Sequence, residues 1–255
     1  MQNEINKPLI LITNDDGEHA RGIEVLTRLM MEIGDVIVMA PDGPRSGQSN
    51  ALTVSQPIRY FKTEEREGLI RYSCTGTPTD CVKLALHELE RKPDLLVSGI
   101  NHGSNAAINV IYSGTMGAVL EGCENGILSI GFSIFDHSPK VDFSNTEKHI
   151  LSITRKMLEN GLPYGVCLNV NFPVGKINGI KLSRQCEGHW AKEYEKRVDP
   201  HGRNYFWLTG YFDNHEPDAE DTDEWALANN YVSIVPTKID MTDYEVLQTL
   251  KTTFE

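Results

Sequence analysis

The chain has no run approaching the roughly 20 consecutive apolar residues that a bilayer span needs, so it offers no candidate transmembrane helix. Its opening, "MQNEINKP", lacks the basic and then apolar build of a secretory signal, and the expected setting is the cytoplasm. Cysteine is sparse and unpatterned. Cys74, Cys81, Cys123, Cys167 and Cys186 are an odd number, with no C-x-x-C pair and no Cys/His grouping of zinc spacing, which argues for buried free thiols in a reducing compartment. Basic residues are outnumbered, 24 Lys and Arg against 36 Asp and Glu, for a net charge of -12. That balance argues against a nucleic-acid duplex as partner, because such binding draws its affinity from neutralised phosphates. A small anionic substrate stays open where local groups or a cation offset the field.

Familiar signatures are missing too. There is no G-x-x-x-x-G-K-[ST] for a P-loop nucleotidase, no G-x-G-x-x-G after the first apolar run for a dinucleotide enzyme, and no G-x-S-x-G elbow for an acyl hydrolase.

What is present is an ordinary globular composition, 40% apolar and 24% charged over 255 residues, enough for one large α/β domain or two small ones. Short apolar runs alternate with helical patterns through the first two-thirds, the signature of a parallel sheet with crossover helices. "LILIT", "DVIVMAP", "PDLLVSGIN", "ILSIGFSI" and "GVCLNVNFP" read as strands. Ile23, Leu26, Met30 and Ile33 recur at spacings of three and four, predicting an amphipathic helix closed by Gly34. "TPTDCVKLALHELE" starts a helix with Thr77 as N-cap, Pro78 at the first position and Asp80 in the first turn. "SGTMGAVLEGCENG" is a helix ending at Gly126, and "SNTEKHILSITRKMLENG" a helix with a capping box of Ser144 and Glu147 and a stop at Gly161. The expected fold is thus α/β: a Rossmann-like, mostly parallel sheet with flanking helices over residues 1–178. Shorter β-like runs, "IKLSR", "NYFWLTG" and "YVSIVPTKI", then form a β-rich, carboxyl-terminal extension over 179–255 that serves as an oligomerisation or lid region packed on the core.

In parallel α/β sheets, ligands gather outside the carboxyl ends of the strands. Four polar patches fall there: "NDDG" after the first strand, the long segment "PDGPRSGQSN" after the second, "GINHGSN" after "LLVSG", and "YSGT" entering a helix. Asp15 and Asp16 stand directly after a buried run, where a dehydrated charge pair would be costly, so they should face water, a cation or a ligand. Together with the neutral oxygens of Ser46, Ser49, Asn50, Asn101 and Asn105, and with no soft ligand beside them, they suit a hard divalent cation such as Mg²⁺ or Mn²⁺. A lone Asp-Asp-Gly is an ordinary turn or cap, and Ser113 or Thr115 could simply cap a helix. Convergence of the four loops is what raises the functional reading. Backbone N–H groups around Gly114 offer an anion site, and a cation beside it suggests a phosphate ester and metal-assisted hydrolysis. The scattered histidines are read as structural or solvated, His102 being the one to watch between Asn101 and Asn105.

"ILITNDDG", "APDGPRSGQSNALT", "GTPTDCV", "DLLVSGIN" and "VIYSGT" in this order, with "DPHGRNYFWLTG" further on, strongly resemble the SurE family of survival proteins, which are 5'/3'-nucleotidases. The resemblance runs from about Leu9 to Tyr231 and beyond. It implies a divalent-metal-dependent phosphomonoesterase acting on nucleoside monophosphates, with one cation per subunit held by Asp15, Asp16, Ser46 and Asn101. It places phosphate contacts on Asn105, Ser113, Gly114 and Thr115, and makes Asp15, Asp16 and Asn105 the catalytic set, Asp16 being the carboxylate expected to orient or deprotonate water. It also implies activity on short polyphosphate and a homodimer or homotetramer assembled through the carboxyl-terminal extension. Members usually read "NDDGVHAPG" and "GINAGPN" where this chain has "NDDGEHARG" and "GINHGSN", which puts Glu18, Arg21, His102 and Ser104 beside the expected site and bears on substrate preference. Two other readings stand beside this one: an aspartyl-phosphate phosphatase with Asp15 or Asp16 as nucleophile, disfavoured because "NDDG" lacks D-x-D spacing, and a nucleotide-binding module without catalysis.

Overall fold

A computed structural model describes residues 7–138 and 140–254. The chain opens with strand β1 (Leu9–Thr13), helix α1 (Arg21–Met30) and β2 (Asp35–Pro41), then a hairpin of β3 (Tyr60–Arg66) and β4 (Leu69–Cys74). Next come α2 (Pro78–Glu88), β5 (Leu95–His102), a 3-10 turn at Ala107–Ile111, α3 (Gly114–Glu124), β6 (Leu128–Ile134), α4 (Ser144–Asn160) and β7 (Val166–Phe172). The last third holds β8 (Gly179–Leu182), β9 (Gly188–Ala191), β10 (Tyr194–Val198), β11 (Asn204–Leu208), β12 (Tyr211–Asn214), α5 (Asp223–Ala228), β13 (Tyr231–Lys238) and α6 (Tyr244–Phe254).

Nine strands form one sheet in the order β3-β4-β2-β1-β5-β6-β7-β13-β8. The run from β4 to β7 is parallel throughout, whereas β3 is antiparallel to β4 and β13 antiparallel to β7. The fold is the expected α/β, Rossmann-like arrangement with extra carboxyl-terminal strands. Alternation along β1 separates two cores: Ile10 and Ile12 pack with α1 and α4 residues such as Ile23, Leu26 and Ile150, while Leu11 packs with Val82 of α2 and Val119 of α3 on the other face. Both faces are therefore covered, which is why these strands are almost wholly apolar. From β1 the chain runs one way to β2 and later returns on the other side at β5, so the switch point lies between the carboxyl ends of β1 and β5.

Several local expectations change. Helix α1 stops at Met30 and residues up to Gly34 form turns, with the Gly34 N–H donating to the Met30 carbonyl. The capping box at Thr77 and Asp80 forms, but the one predicted at Ser144 and Glu147 does not. The N-cap of α4 is Phe143, Ser144 donates both N–H and Oγ to Asp142, and Glu147 instead accepts from Arg28 at 2.6 Å. An aspartate two residues upstream captures the serine that the motif needs. The β3–β4 hairpin is not announced by any pattern in the sequence. Strands β8 and β13 lie in the main sheet, so the sheet runs across residue 178, and Val232 and Ile234 join the core. Outside it, β10–β11 and β9–β12 make two antiparallel ribbons.

Candidate active site

Asp15 and Asp16 leave the end of β1, Asn101 lies at the end of β5, and Asn105 follows in the loop after it. Asp15 is only 4% exposed, so it does not face open water. Its Oδ1 accepts a 2.5 Å hydrogen bond from Thr115 Oγ1, and its carbonyl accepts from the Arg45 N–H, which ties the loop after β2 to the same place. Gly114 permits the approach of α3: a Cβ there would lie 2.9 Å from Asp15 Cβ. Three residues on, a Cβ at Gly117 would lie 2.4 Å from the Ser49 carbonyl, so that glycine lets the loop after β2 lie against the helix. Asp16 is half-buried, and its Oδ2 accepts from the His102 N–H at 3.2 Å.

Burial pushes the Asp15 carboxyl up to about 6; the Thr115 hydroxyl pulls against that shift and the Asp16 charge adds to it. Burial likewise raises Asp16, against the His102 N–H and the charges of His102 and His137. Two carboxylates that are costly to ionise side by side favour a positive charge between them.

A cavity of about 730 Å³ opens at this strand end, within the ~300–1,000 Å³ usual for small-molecule sites. Of the residues expected at the site, Asp15, Ser46, Asn101, Asn105 and Ser113 line it, together with His102 and Ser104. Asp16, Gly114 and Thr115 adjoin lining residues in sequence but are not themselves part of that lining. Ser113 caps α3, its Oγ accepting from the Met116 N–H; of the other first-turn N–H groups, that of Thr115 turns to the Asp15 carboxylate, and that of Gly114 has no partner among the described residues. Glu18 and Arg21 do not line the cavity; Glu18 turns towards β4 and accepts from Ser73 Oγ at 2.6 Å. Ser49 and Asn50 lie outside it as well, Ser49 Oγ donating to the Ile111 carbonyl.

A polar chain fixes the loop after β5. The Asn105 N–H donates to Asn171 Oδ1 at 2.7 Å, Asn105 Nδ2 to Ser133 Oγ at 2.7 Å, and Asn169 Nδ2 to the Asn105 carbonyl at 2.8 Å, while Asn171 Nδ2 bonds Asn169 Oδ1. Asn169 and Asn171 alternate on the buried strand "CLNVNF", and two amides at spacing two inside an apolar run are the signal that could have marked them. Most of the opposite wall comes from the carboxyl-terminal extension, a region expected to act as a lid or in oligomerisation, but none of its residues stands out as a site residue in the sequence. Trp190, Tyr211, Phe212 and Asn214 enter this wall from β9 and β12, Glu224 from α5, and Tyr112, Phe135 and His137 from loops. Trp190 Nε1 donates to Asn109 Oδ1 at 2.8 Å, and buried Asp223 accepts from the N–H groups of Ala107 and Cys186, pinning this wall to the loop. Burial, with the Asp223 charge adding to it, pushes Glu224 up to about 7.

The family model described as "Survival protein SurE" matches residues 10–192. A protein of Phocaeicola vulgatus named "5'-nucleotidase SurE" is 53% identical over 247 residues, 96% of each chain. Another of that name from Bacteroides thetaiotaomicron is 53% identical over 251 residues, 97% of this chain and 96% of its own. Among solved structures, the SurE protein from Aquifex aeolicus superposes with a TM-score of 0.84 at 36% identity, covering 97% of this chain and 100% of that one.

Proposed function

This chain belongs to the SurE family, and from that premise we propose that it is a 5'-nucleotidase: a divalent-metal-dependent phosphomonoesterase that releases phosphate from nucleoside 5'-monophosphates, with 3'-monophosphates and short polyphosphate as further substrates. The observation that carries the reading is the meeting of Asp15, Ser46, Asn101 and Ser113, the N-cap of α3, around one cavity at the sheet's switch point, with Asp16 beside Asp15.

The donor set suits a hard ion. Asp15 and Asp16 would supply carboxylate oxygens, Ser46 a hydroxyl and Asn101 an amide oxygen, the last turned free because its Nδ2 donates to the Gly103 carbonyl at 2.8 Å. When bound, a cation such as Mg²⁺ or Mn²⁺ supplies charge compensation for the phosphoryl oxygens and a water of lowered pKa. The chain's own groups do the rest. Thr115 holds the Asp15 carboxylate in one orientation. Asp16, with Oδ2 on the His102 N–H and Oδ1 unengaged among the described residues, orients or deprotonates the attacking water. The Gly114 N–H at the start of α3 donates to the phosphoryl oxygens as charge builds, the Thr115 N–H steadies the Asp15 carboxylate, and Asn105 keeps the facing loop at the phosphate. Rings at the mouth, Trp190, Tyr112 and Phe212, offer apolar faces for a nucleobase. Asp15 is a poor nucleophile by comparison, being buried and tied to Thr115.

The five thiols, all buried and unpaired, suit the cytoplasm. The exposed aromatic faces of β10–β11 and of α6 suit assembly into a homodimer or homotetramer. Phosphate release from a panel of nucleoside monophosphates, measured with Mg²⁺, Mn²⁺ or EDTA on the parent and on Asp16→Asn, tests the reading. Release that requires metal and collapses in the variant is expected; a folded parent that releases no phosphate with any cation overturns it.

A further inference from the structure

The β9–β12 ribbon presents two different faces. His189 and Asp213 are directly opposite partners across it, and His215 stands one residue past the end of β12, where its N–H donates to the Glu187 carbonyl and its side chain converges with the other two. Trp190, Phe212 and Asn214 take the other side and line the cavity. On the outer side, His189 Nδ1 lies 2.9 Å from His215 Nε2, and one ligand atom from each of His189, Asp213 and His215 falls within 4.8 Å of the others. All three side chains are exposed, and no ion pair or side-chain hydrogen bond engages the Asp213 carboxylate among the described residues. Among those residues, this is where three His, Cys, Asp or Glu side chains converge in this way; the Asp15–Asp16 pair relies on hydroxyl and amide oxygens instead.

We propose that His189, Asp213 and His215 form a second metal site, distinct from the oxygen-lined one, that takes a borderline divalent ion of the Zn²⁺ class and so braces the outer wall of the substrate cavity. Two imidazole nitrogens and one carboxylate are a donor set for Zn²⁺, Co²⁺ or Ni²⁺, and a poor one for Mg²⁺. Nitrogens bound about 2.0–2.1 Å from a tetrahedral ion stand roughly 3.3 Å apart, so the His189–His215 pair needs to open by only a few tenths of an ångström. Three protein ligands leave a fourth position to water, as an exposed site allows. The net charge of -12 favours a cation at the surface. Because the ligands come from both strands of a ribbon that lies outside the main sheet, a bound ion cross-links β9 to the end of β12, and the restraint passes through the backbone to Trp190 and Phe212 on the reverse face.

The test reads binding and does not depend on the proposed hydrolysis. The full-length protein is dialysed against Zn²⁺ with excess Mg²⁺ present, and the bound zinc is counted for the parent, His189→Ala, His215→Ala and Asp16→Asn. Expected is about one zinc per chain in the parent and in Asp16→Asn, with affinity at least ~30-fold weaker in either histidine variant, since losing a mere outer-shell partner of a ligand already costs ~10–100-fold. Co²⁺ in place of Zn²⁺ should give the parent a ligand-field absorption band that both histidine variants lack. Circular dichroism checks that the variants remain folded, the two histidine variants being altered only at exposed positions. The proposal is overturned if no zinc binds, if the histidine variants bind as the parent does, or if Asp16→Asn is the variant that loses it. Any of those results leaves the His189–His215 contact as a hydrogen bond between side chains.

Discussion

On one side of the cavity, Asp15, Asn105 and Ser113 are buried and each is held by a named hydrogen bond, to Thr115, Ser133 and the Met116 N–H. On the other, Trp190, Phe212 and Asn214 come from a two-stranded ribbon outside the main sheet, anchored chiefly through the Trp190–Asn109 and Asp223 bonds. The first wall sits on parallel strands packed on both faces, where moving one group strands its partners. The second rests on few bonds and apolar faces and can adjust. Under the proposed function this makes a division of labour, with the chemistry assigned to the strand ends and the larger part of the ligand to the ribbon.

Breaking the rigid wall should cost most. Asn171→Ala leaves the Asn105 N–H, Ser104 Oγ and Asn169 Oδ1 without their partner, and a loss of about 3 kcal/mol in urea unfolding is expected, the scale of several buried groups left unpaired. Next, Thr115→Val removes the donor to Asp15 while keeping the side chain's shape; kcat for phosphate release should fall ~10–100-fold with a smaller change in KM, as for the loss of a group that orients a metal ligand. The ribbon should answer differently. Trp190→Ala is expected to raise KM for nucleoside monophosphates about tenfold and leave kcat within about threefold, since it removes area that binds ground and transition states alike. If kcat falls with KM unchanged, the two walls are not functionally distinct.

The smallest effect belongs to Glu224. A folded pKa of about 7, raised above the ordinary 4.5, means that the folded state holds the proton more tightly than the unfolded chain does. The stability this provides is complete below about 4.5 and is lost as pH rises through about 7. Glu224→Gln should therefore match the parent near pH 4.5 and exceed it by about 1 kcal/mol at pH 8, a figure reduced for partial solvation. Thermal unfolding at the two pH values checks the sign. A variant less stable than the parent at pH 8 would mean that the carboxylate has a partner that is worth keeping.

The same contrast governs what the sequence made legible. Strands β1, β2, β5, β6 and β7 are largely apolar runs because both of their faces are buried, and polar residues clustered at their ends stand out as a change of composition. Asp15, Ser46, Asn101, Asn105 and Ser113 could be gathered on paper since each follows such a strand or starts a helix. Trp190, Phe212 and Glu224 could not, because their proximity depends on a ribbon and on α5 folding over the sheet from far along the sequence. The β3–β4 hairpin stayed hidden for a related reason: "YFKTEER" is a charged edge strand with little apolar alternation to announce it. Nor does a run such as "YVSIVPTKI" reveal that it enters the main sheet antiparallel to β7, since pattern gives burial and not direction.

The position of β13 has a consequence for how the protein is made. Strands β1 to β7 can pair in the order in which they leave the ribosome, yet the outer side of β7 waits for residues 231–238, about 60 residues later. Until then β7 presents an unpaired, largely apolar edge, the kind of surface on which nascent chains stick to one another. At ~5–20 residues per second, that interval lasts from about 3 to 12 s per chain, and a ribosome stalled before codon 231 would release the fold with its adhesive side open.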